Sequence, residues 1–301
     1  MKNSIATVVV TYNRKELLVQ CLDAILGQSY LPDQIFVIDN ASTDGTEALL
    51  REKQYLKNSL ITYILLTENT GGAGGFYEGM KRAYEGGYDW IWLMDDDGYP
   101  AADALEKLLE ARSKLDMIGC AVLLPENTAQ LSWTLIAFTK NKYFSPNKRI
   151  RAYDELVKAS EEGMYRDYIN CFNAALINRR VIQKIGYVLQ ELFIRGDEVE
   201  YFLRAREAGI KLGIKIDAFY YHPHQPIQFN RMKYFYAFRN TFYNYTRYRK
   251  NIYQPPLQSF YLIYMFIKYI GKTPSTSPKY LYRLLKAIAL ASQGKLIPYE
   301  N

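Results

Sequence analysis

The chain has 301 residues, 49% of them hydrophobic, with 38 Lys/Arg against 31 Asp/Glu and a formal net charge of +7. That length and apolar fraction exclude a disordered chain and fit one wide α/β domain with an appended segment. The charge is uneven: Ala218 to Tyr299 holds 12 Lys/Arg and no Asp or Glu, so a mildly acidic body precedes a basic, tyrosine-rich tail suited to an anionic partner.

Cys21, Cys120 and Cys171 form no CxxC pair and sit in apolar contexts, which predicts free thiols in a reducing cytoplasm rather than a zinc or disulfide framework. The N-terminus enters a strand directly, without a signal-peptide pattern, and predicts a cytoplasmic protein. Phe260–Ile267, the longest apolar stretch, is well short of the ~20 residues that cross a bilayer.

Ile5–Val10 is a continuous β-branched run, the pattern of a strand buried on both faces. Asn13 and Glu16 then read as a capping-box-like helix start, with Leu17, Leu18, Cys21, Leu22, Ile25 and Leu26 at helical spacing. Ile35–Ile38 is a second strand ending at Asp39-Asn40, and Ile61–Leu66 a third ending before Asn69. Phe76, Met80, Ala83 and Tyr84 mark a helix, Trp90–Met94 a fourth strand, and Leu105, Leu108, Leu109 and Leu115 a further helix. This alternation predicts a mostly parallel sheet flanked by helices, with ligands outside the carboxyl ends of its strands. Beyond Pro125 the pattern loosens. Leu192–Ile194 reads as a short strand, Asp197–Ala208 as a helix, and helices are expected near 231–250, 257–270 and 279–293.

Asp95-Asp96-Asp97, closing a buried-type strand, is the sharpest chemical signal. Three adjacent carboxylates need compensation, and a hard divalent cation with substrate phosphates supplies it. An EF-hand is excluded, because Leu93 and Ala104 stand where its ligands belong. Asn69-Thr70-Gly71-Gly72-Ala73-Gly74-Gly75 opens a helix with glycines that let backbone approach an anion. It is neither a dinucleotide fingerprint, since Tyr77 occupies the last glycine position, nor a P-loop. Thr11, Tyr12, Asn13 and Arg14 end the first strand, and Asp39, Asn40 and Ser42 the second. Asp39 is placed to accept from a base or ribose and Arg14 to pair with a phosphate, while Asn13 and Ser42 are equally suited to capping.

The strings VVVTYNR, VIDNASTDGT, NTGGAGGF and WLMDDDG, in that order, resemble family-two glycosyltransferases, most closely the galactofuranosyltransferase and rhamnosyltransferase branches. The resemblance covers roughly residues 4–240. It implies a GT-A (Rossmann-like) α/β fold with a C-terminal helical extension: a catalytic domain over 1–225 (nucleotide-binding half 1–125, acceptor half 126–225) and a basic aromatic region over 226–301. It implies that the first-strand loop and Asp39 bind the nucleotide, that Asp95 and Asp97 carry the donor or a Mn2+ or Mg2+ ion, and that Asp96 faces the sugar.

The second half should supply acceptor contacts and a base. Asp197 and Glu200 are spaced as N-cap and N3 of a helix, which leaves Glu198 free to face the cleft. The resemblance also points to the second acid of that pair as general base, with Asp197 the other candidate. His222 or His224 would complete the metal site; the resemblance favours His222. Arg239, in Tyr236-Ala237-Phe238-Arg239-Asn240, reads as a diphosphate neutraliser or a buried structural pair with Asn240. Trp133, Phe172 and Asn173 are candidate acceptor contacts, with core packing the alternative for the rings.

The expected reaction is one inverting displacement by an acceptor hydroxyl on a nucleoside-diphosphate sugar. The resemblance gives UDP-galactofuranose as donor, with dTDP-rhamnose as runner-up, and a glycan or lipid-linked glycan as acceptor. A nucleotidyltransferase and a non-catalytic membrane- or RNA-binding module are the competing classes. The Lys/Arg and aromatic residues of the tail fit peripheral contact with an anionic membrane or packing as a helical cap, and no nucleic acid is expected.

Overall fold

The computed structural model describes residues 3–138, 144–166, 168–223, 230–252, 260, 263–264, 267 and 277–299. Its centre is a mixed sheet with helices on both faces. Strands β1 (Ile5–Thr11), β2 (Gln34–Asp39), β3 (Ile61–Leu65) and β4 (Trp90–Asp95) are parallel in the order β3-β2-β1-β4. Beyond β4 the sheet turns mixed. β10 (Asn173–Asn178) runs antiparallel between β4 and β6 (Met117–Leu124), and β11 (Leu212–Tyr221) is parallel to β6. A long hairpin, β7 (Asn127–Phe138) and β8 (Phe144–Ala152), extends from β6.

The unbroken apolar run of β1 has its reason in the layers. Ala6, Val8 and Val10 pack under α3 (Gly71–Glu85), whereas Ile5 and Val9 pack under α1 (Lys15–Leu26) and α4 (Ala104–Glu110) on the other face. Both faces are buried, so polar alternation has no place there. The glycines of α3 follow the same logic. A Cβ on Gly75 would stand 2.4 Å from a Val10 methyl and one on Gly79 2.2 Å from a Val8 methyl, so a helix with side chains there could not approach the sheet as closely.

Two expected local features differ. Asn13 does not cap α1; its backbone is left-handed (φ 53°) and its side chain accepts from the Thr43 N–H, lacing the β1 and β2 loops together. Leu192–Ile194 is not a strand: Gln190–Leu192 is a single 3-10 turn, followed by positive φ at Phe193, Arg195 and Gly196. The Ile194 N–H donates to the Leu192 carbonyl across Phe193 (φ 63°, ψ −65°), a tight and strained three-residue turn.

Of the C-terminal helices, α8 (Arg231–Ile252) and α9 (Pro278–Ser292) pack together through Phe235, Tyr236, Phe238, Phe242, Tyr280, Leu284, Ala287 and Ile288. Many tail tyrosines are thus core residues. The helix expected over 257–270 falls mostly outside the described residues; Phe260, Ile263, Tyr264 and Ile267 are helical.

Candidate functional site

The parallel strands bring their carboxyl ends to one edge, as the sheet rule requires. Thr11, at the end of β1, donates its hydroxyl to Asp96 at 2.6 Å. Arg14 places one guanidinium nitrogen 3.0 Å from Asp96 and 2.7 Å from Asp97. Asp96 is buried, and that burial, opposed by Arg14 and by the Thr11 hydrogen bond, pushes its pKa up to about 6. Burial also works against ionisation of Asp97, but the bond with His222 and the Arg14 cation prevail and hold its carboxyl below the usual range. Asp95 is pushed well up, by burial first and then by Asp97 and Asp96. Its carboxylate takes no hydrogen bond among the described residues, while its carbonyl accepts from the Tyr220 hydroxyl at 3.0 Å.

His222 lies just beyond β11, with Nε2 3.0 Å from Asp97 and Nδ1 2.8 Å from the Pro223 carbonyl. The Trp133 ring, on β7, is centred 4.5 Å from the imidazole and is 38% exposed. Trp133, a candidate acceptor contact, and His222 and Asp97, candidate metal ligands, come from three distant segments and lie together. His224 lies outside the described residues.

The metal trio of Asp95, Asp97 and His222 is not preassembled. Among the described residues no three His, Cys, Asp or Glu side chains are grouped to hold an ion, because Arg14 supplies the positive charge between Asp96 and Asp97. The donor chemistry nevertheless fits a hard cation. Both imidazole nitrogens face acceptors, yet a neutral ring has one N–H. In the tautomer that donates Nδ1–H to Pro223 the Nε2 lone pair would face Asp97, an arrangement that a cation in place of the Nε2–H bond would satisfy.

The second-strand residues act largely on the loops. Asp39 is fully buried and accepts from the Ser42 N–H at 2.7 Å and the Tyr63 hydroxyl at 2.6 Å. Ser42 caps no helix; its hydroxyl accepts from the Asn13 N–H. Asn40 accepts from Thr70 and donates to the Gly71 carbonyl, joining β2 to the glycine turn. Asn69 accepts from the Gly71 N–H at 2.8 Å. Gly71, Gly74 and Gly75 are buried, and the close approach they permit is to protein: a Cβ at Gly71 would lie 2.1 Å from the Phe193 carbonyl oxygen. Gly72 is half-buried, and its Cβ position is 3.9 Å from Asp197. Tyr12 is exposed at the rim. A shallow cleft of 620 Å³ opens beside these loops, lined by residues including Ser42, Thr46, Tyr63 and Leu65.

The helix α7 (Asp197–Glu207) begins differently from the expectation. Gly196, not Asp197, precedes its first turn, and Glu198 reaches back to accept from the Gly196 N–H at 3.0 Å. Glu200 is no capping partner; it is buried and held by Arg204 at 2.9 Å and by the Tyr248 hydroxyl. Asp197 is buried, and burial followed by the charge of Glu198 and a hydrogen bond between the two carboxyls pushes its pKa well up. Burial thus favours the protonated form of Asp197, while Glu198 beside it is half-buried.

Two of the expected ligand contacts, Phe172 and Arg239, are engaged within the protein, the alternative that the sequence left open for each. Phe172 is buried and stacks on Phe76 at 4.0 Å, and Asn173 is buried where β10 meets Met94. Arg239 is fully buried. Its guanidinium donates to the Asn240 side chain and to the Glu191, Leu192 and Ile297 carbonyls, and burial pushes its pKa down to about 10. A fork so occupied does not reach a diphosphate.

Sequence reasoning missed two features. Asn240 donates to the Leu192, Ile194 and Arg195 carbonyls and Asn244 to that of Gly196, so one face of α8 clamps the strained loop before Asp197. Their i, i+4 spacing was the available signal. Lys233 on α8 is pressed down by burial and by the nearby Arg195 and Arg14 charges, which makes a cationic rim beside Asp97. Nothing in the local pattern joined those three.

The family model for glycosyl transferase family 2 matches residues 6–186. Galactofuranosyltransferase GlfT1 of Mycobacterium tuberculosis is 34% identical over 260 residues, covering 81% of this chain and 82% of its own. Among solved structures, GalNAc-T7 with UDP, GalNAc and Mn2+ superposes with a TM-score of 0.60 at 13% identity, over 81% of this chain and 50% of that one. A mannosyltransferase from Pyrobaculum calidifontis, in complex with GDP-Man and Mn2+, does so with a TM-score of 0.57 at 19% identity, over 99% and 77%. The chain belongs to glycosyl transferase family 2 and has the GT-A fold of these structures.

Proposed function

We propose that this family-two glycosyltransferase moves galactofuranose from UDP-galactofuranose to a hydroxyl of a glycan, free or lipid-linked, in the synthesis of a cell-surface polysaccharide. The observation that carries the reading is the convergence of Asp97, His222, Arg14 and Trp133 at the carboxyl edge of β1 and β4, with the Asp197–Glu198 pair beside the glycine turn. The identity to a galactofuranosyltransferase supports the donor sugar.

Residues 1–125 then bind the donor, with the loops of Thr11, Tyr12, Arg14, Asp39 and Asn40 around the nucleotide and Gly72 nearest the sugar. Trp133 offers its exposed face to the acceptor ring. Glu198 takes the proton from the acceptor hydroxyl as that oxygen attacks the anomeric carbon, and a single displacement inverts it. Asp197 donates a hydrogen bond to Glu198 and holds that carboxylate in place.

Mn2+ or Mg2+ is the proposed cofactor, in keeping with the Mn2+ of the two structural neighbours. Asp97 and His222, with Asp95 as a further oxygen ligand, would hold it, and when bound it supplies charge stabilisation for the departing diphosphate. Arg14, 38% exposed at its side chain, can leave the carboxylates for a phosphate without opening the core.

Incubation with UDP-galactofuranose, UDP-galactopyranose and dTDP-rhamnose, each with a synthetic galactan acceptor and Mn2+, tests the reading. Extension by galactofuranose alone is the expected result. Transfer from dTDP-rhamnose instead would reassign the donor, and pyrophosphate release from UTP and a sugar 1-phosphate, with no glycan extension from any of the three donors, would make the chain a nucleotidyltransferase.

A further inference from the structure

Phe260, Ile263, Tyr264 and Ile267 lie in helical backbone and are 69%, 58%, 55% and 65% exposed. Their i, i+3, i+4, i+7 spacing puts them on one face of a helix. Single exposed apolar side chains are ordinary on a protein surface, whereas four large ones on one stripe mark an interaction face. The helix α9 repeats the pattern on a smaller scale. Its inner face joins the aromatic cluster with α8, and its outer face exposes Leu281, Tyr282 and Leu285 beside Lys279 and Lys286.

The charge of this region selects the occupant. Ala218 to Tyr299 has 12 Lys/Arg and no acid, so a second copy of the chain would bring like charge against like. An anionic bilayer meets both requirements, taking the aromatic and aliphatic side chains at headgroup depth and the cations at its surface. No helix among the described residues is long and apolar enough to cross a membrane, so the contact is interfacial.

We propose that the exposed face of Phe260, Ile263, Tyr264 and Ile267 docks this enzyme on the surface of an anionic bilayer. The docking rests on the transferase reading only for its purpose, which is to bring the site to an acceptor carried on lipid. It needs no donor, so its failure would leave that reading untouched.

The test is co-sedimentation of the full chain with vesicles of phosphatidylcholine alone or with about a quarter phosphatidylglycerol, at low and high salt. Wild type is expected to pellet with the anionic vesicles and to be released by salt. The Phe260→Ser/Ile267→Ser variant, altered only at exposed positions, is expected to lose binding by about tenfold or more, with its melting temperature and its transfer to a soluble acceptor unchanged. Wild type that ignores anionic vesicles, or a variant that binds them equally, would overturn the proposal. So would a wild-type dimer that the double substitution dissociates while vesicle binding stays absent in both, since the face would then belong to a second copy.

Discussion

Replacing Asn240 by alanine should damage both stability and transfer, and by amounts the structure lets us work out. The Asn240 amide donates to the carbonyls of Leu192, Ile194 and Arg195 at 2.8, 3.1 and 2.7 Å and accepts from Arg239. Arg239 still reaches the Leu192 carbonyl, so the substitution orphans two carbonyls and one guanidinium N–H. At roughly 1 kcal/mol for each of these three orphaned groups, the cost is about 3 kcal/mol, or ~6 °C in melting temperature for a domain of this size. The loop so released holds positive φ at Phe193, Arg195 and Gly196, and strain of that kind persists only where neighbours over-determine it. Once relaxed, it shifts the start of α7, where Asp197 and Glu198 stand. A displacement of about 1 Å there is enough to lower kcat on the order of a hundredfold. The nucleotide contacts on β1 and β2 are untouched, so UDP affinity should hold. Thermal unfolding, titration with UDP and steady-state transfer read the three quantities separately. A variant that melts within a degree of wild type and turns over at its rate would refute the clamp.

Four other substitutions separate the roles of the site. Glu198→Gln should lower kcat by about 10²–10⁴ with UDP binding kept, whereas Asp197→Asn, which imitates the protonated form that burial favours, should cost less; the reverse order would make Asp197 the base. Arg14→Ala removes the cation between Asp96 and Asp97, so Mn2+ should raise the melting temperature more in that variant than in wild type. Equal shifts would mean that Arg14 and the metal do not share those carboxylates. Trp133→Ala should raise KM for the acceptor about tenfold with stability within about 1 kcal/mol, because the ring is partly exposed; an unchanged KM would remove it from the acceptor site.

Much of this fold was legible because its strands are buried on both faces. An apolar run such as Ile5–Val10 admits few other readings, and the polar residue that ends each run marks the site edge. The loop from Gln190 to Gly196 was not legible for the opposite reason. Leu192-Phe193-Ile194 is as apolar as a strand, and only its partners bend it, chiefly Asn240 and Asn244 from a helix nearly fifty residues later. Asp197 and Glu200 showed the same ambiguity in miniature. Their spacing suits a capping box, but Gly196 in a left-handed conformation took the cap position. Glu200 went instead to Arg204 and Tyr248.

The charged residues differ in what burial leaves them free to do. Arg14, half in water, does face the carboxylates expected of a donor site. For Arg239 the sequence left a phosphate role and a buried pair with Asn240 open, and the structure shows the pair, with the other N–H groups on backbone carbonyls and the planar fork 4.7 Å over the Tyr236 ring. The distinction is one of supply. A guanidinium has five donors, and a buried one left with free donors would carry a heavy desolvation cost, so it must use them on the protein. A phosphate can recruit only an arginine that water has kept available. The glycines obey a matching rule: Gly71, Gly74 and Gly75 are needed by Phe193, Thr70 and Val10, which leaves Gly72 as the turn's half-open position beside Asp197. On the proposed function, the donor site draws on what packing has not already used, and Arg14 and Gly72, rather than Arg239 and Gly75, are the positions left open to a nucleotide sugar.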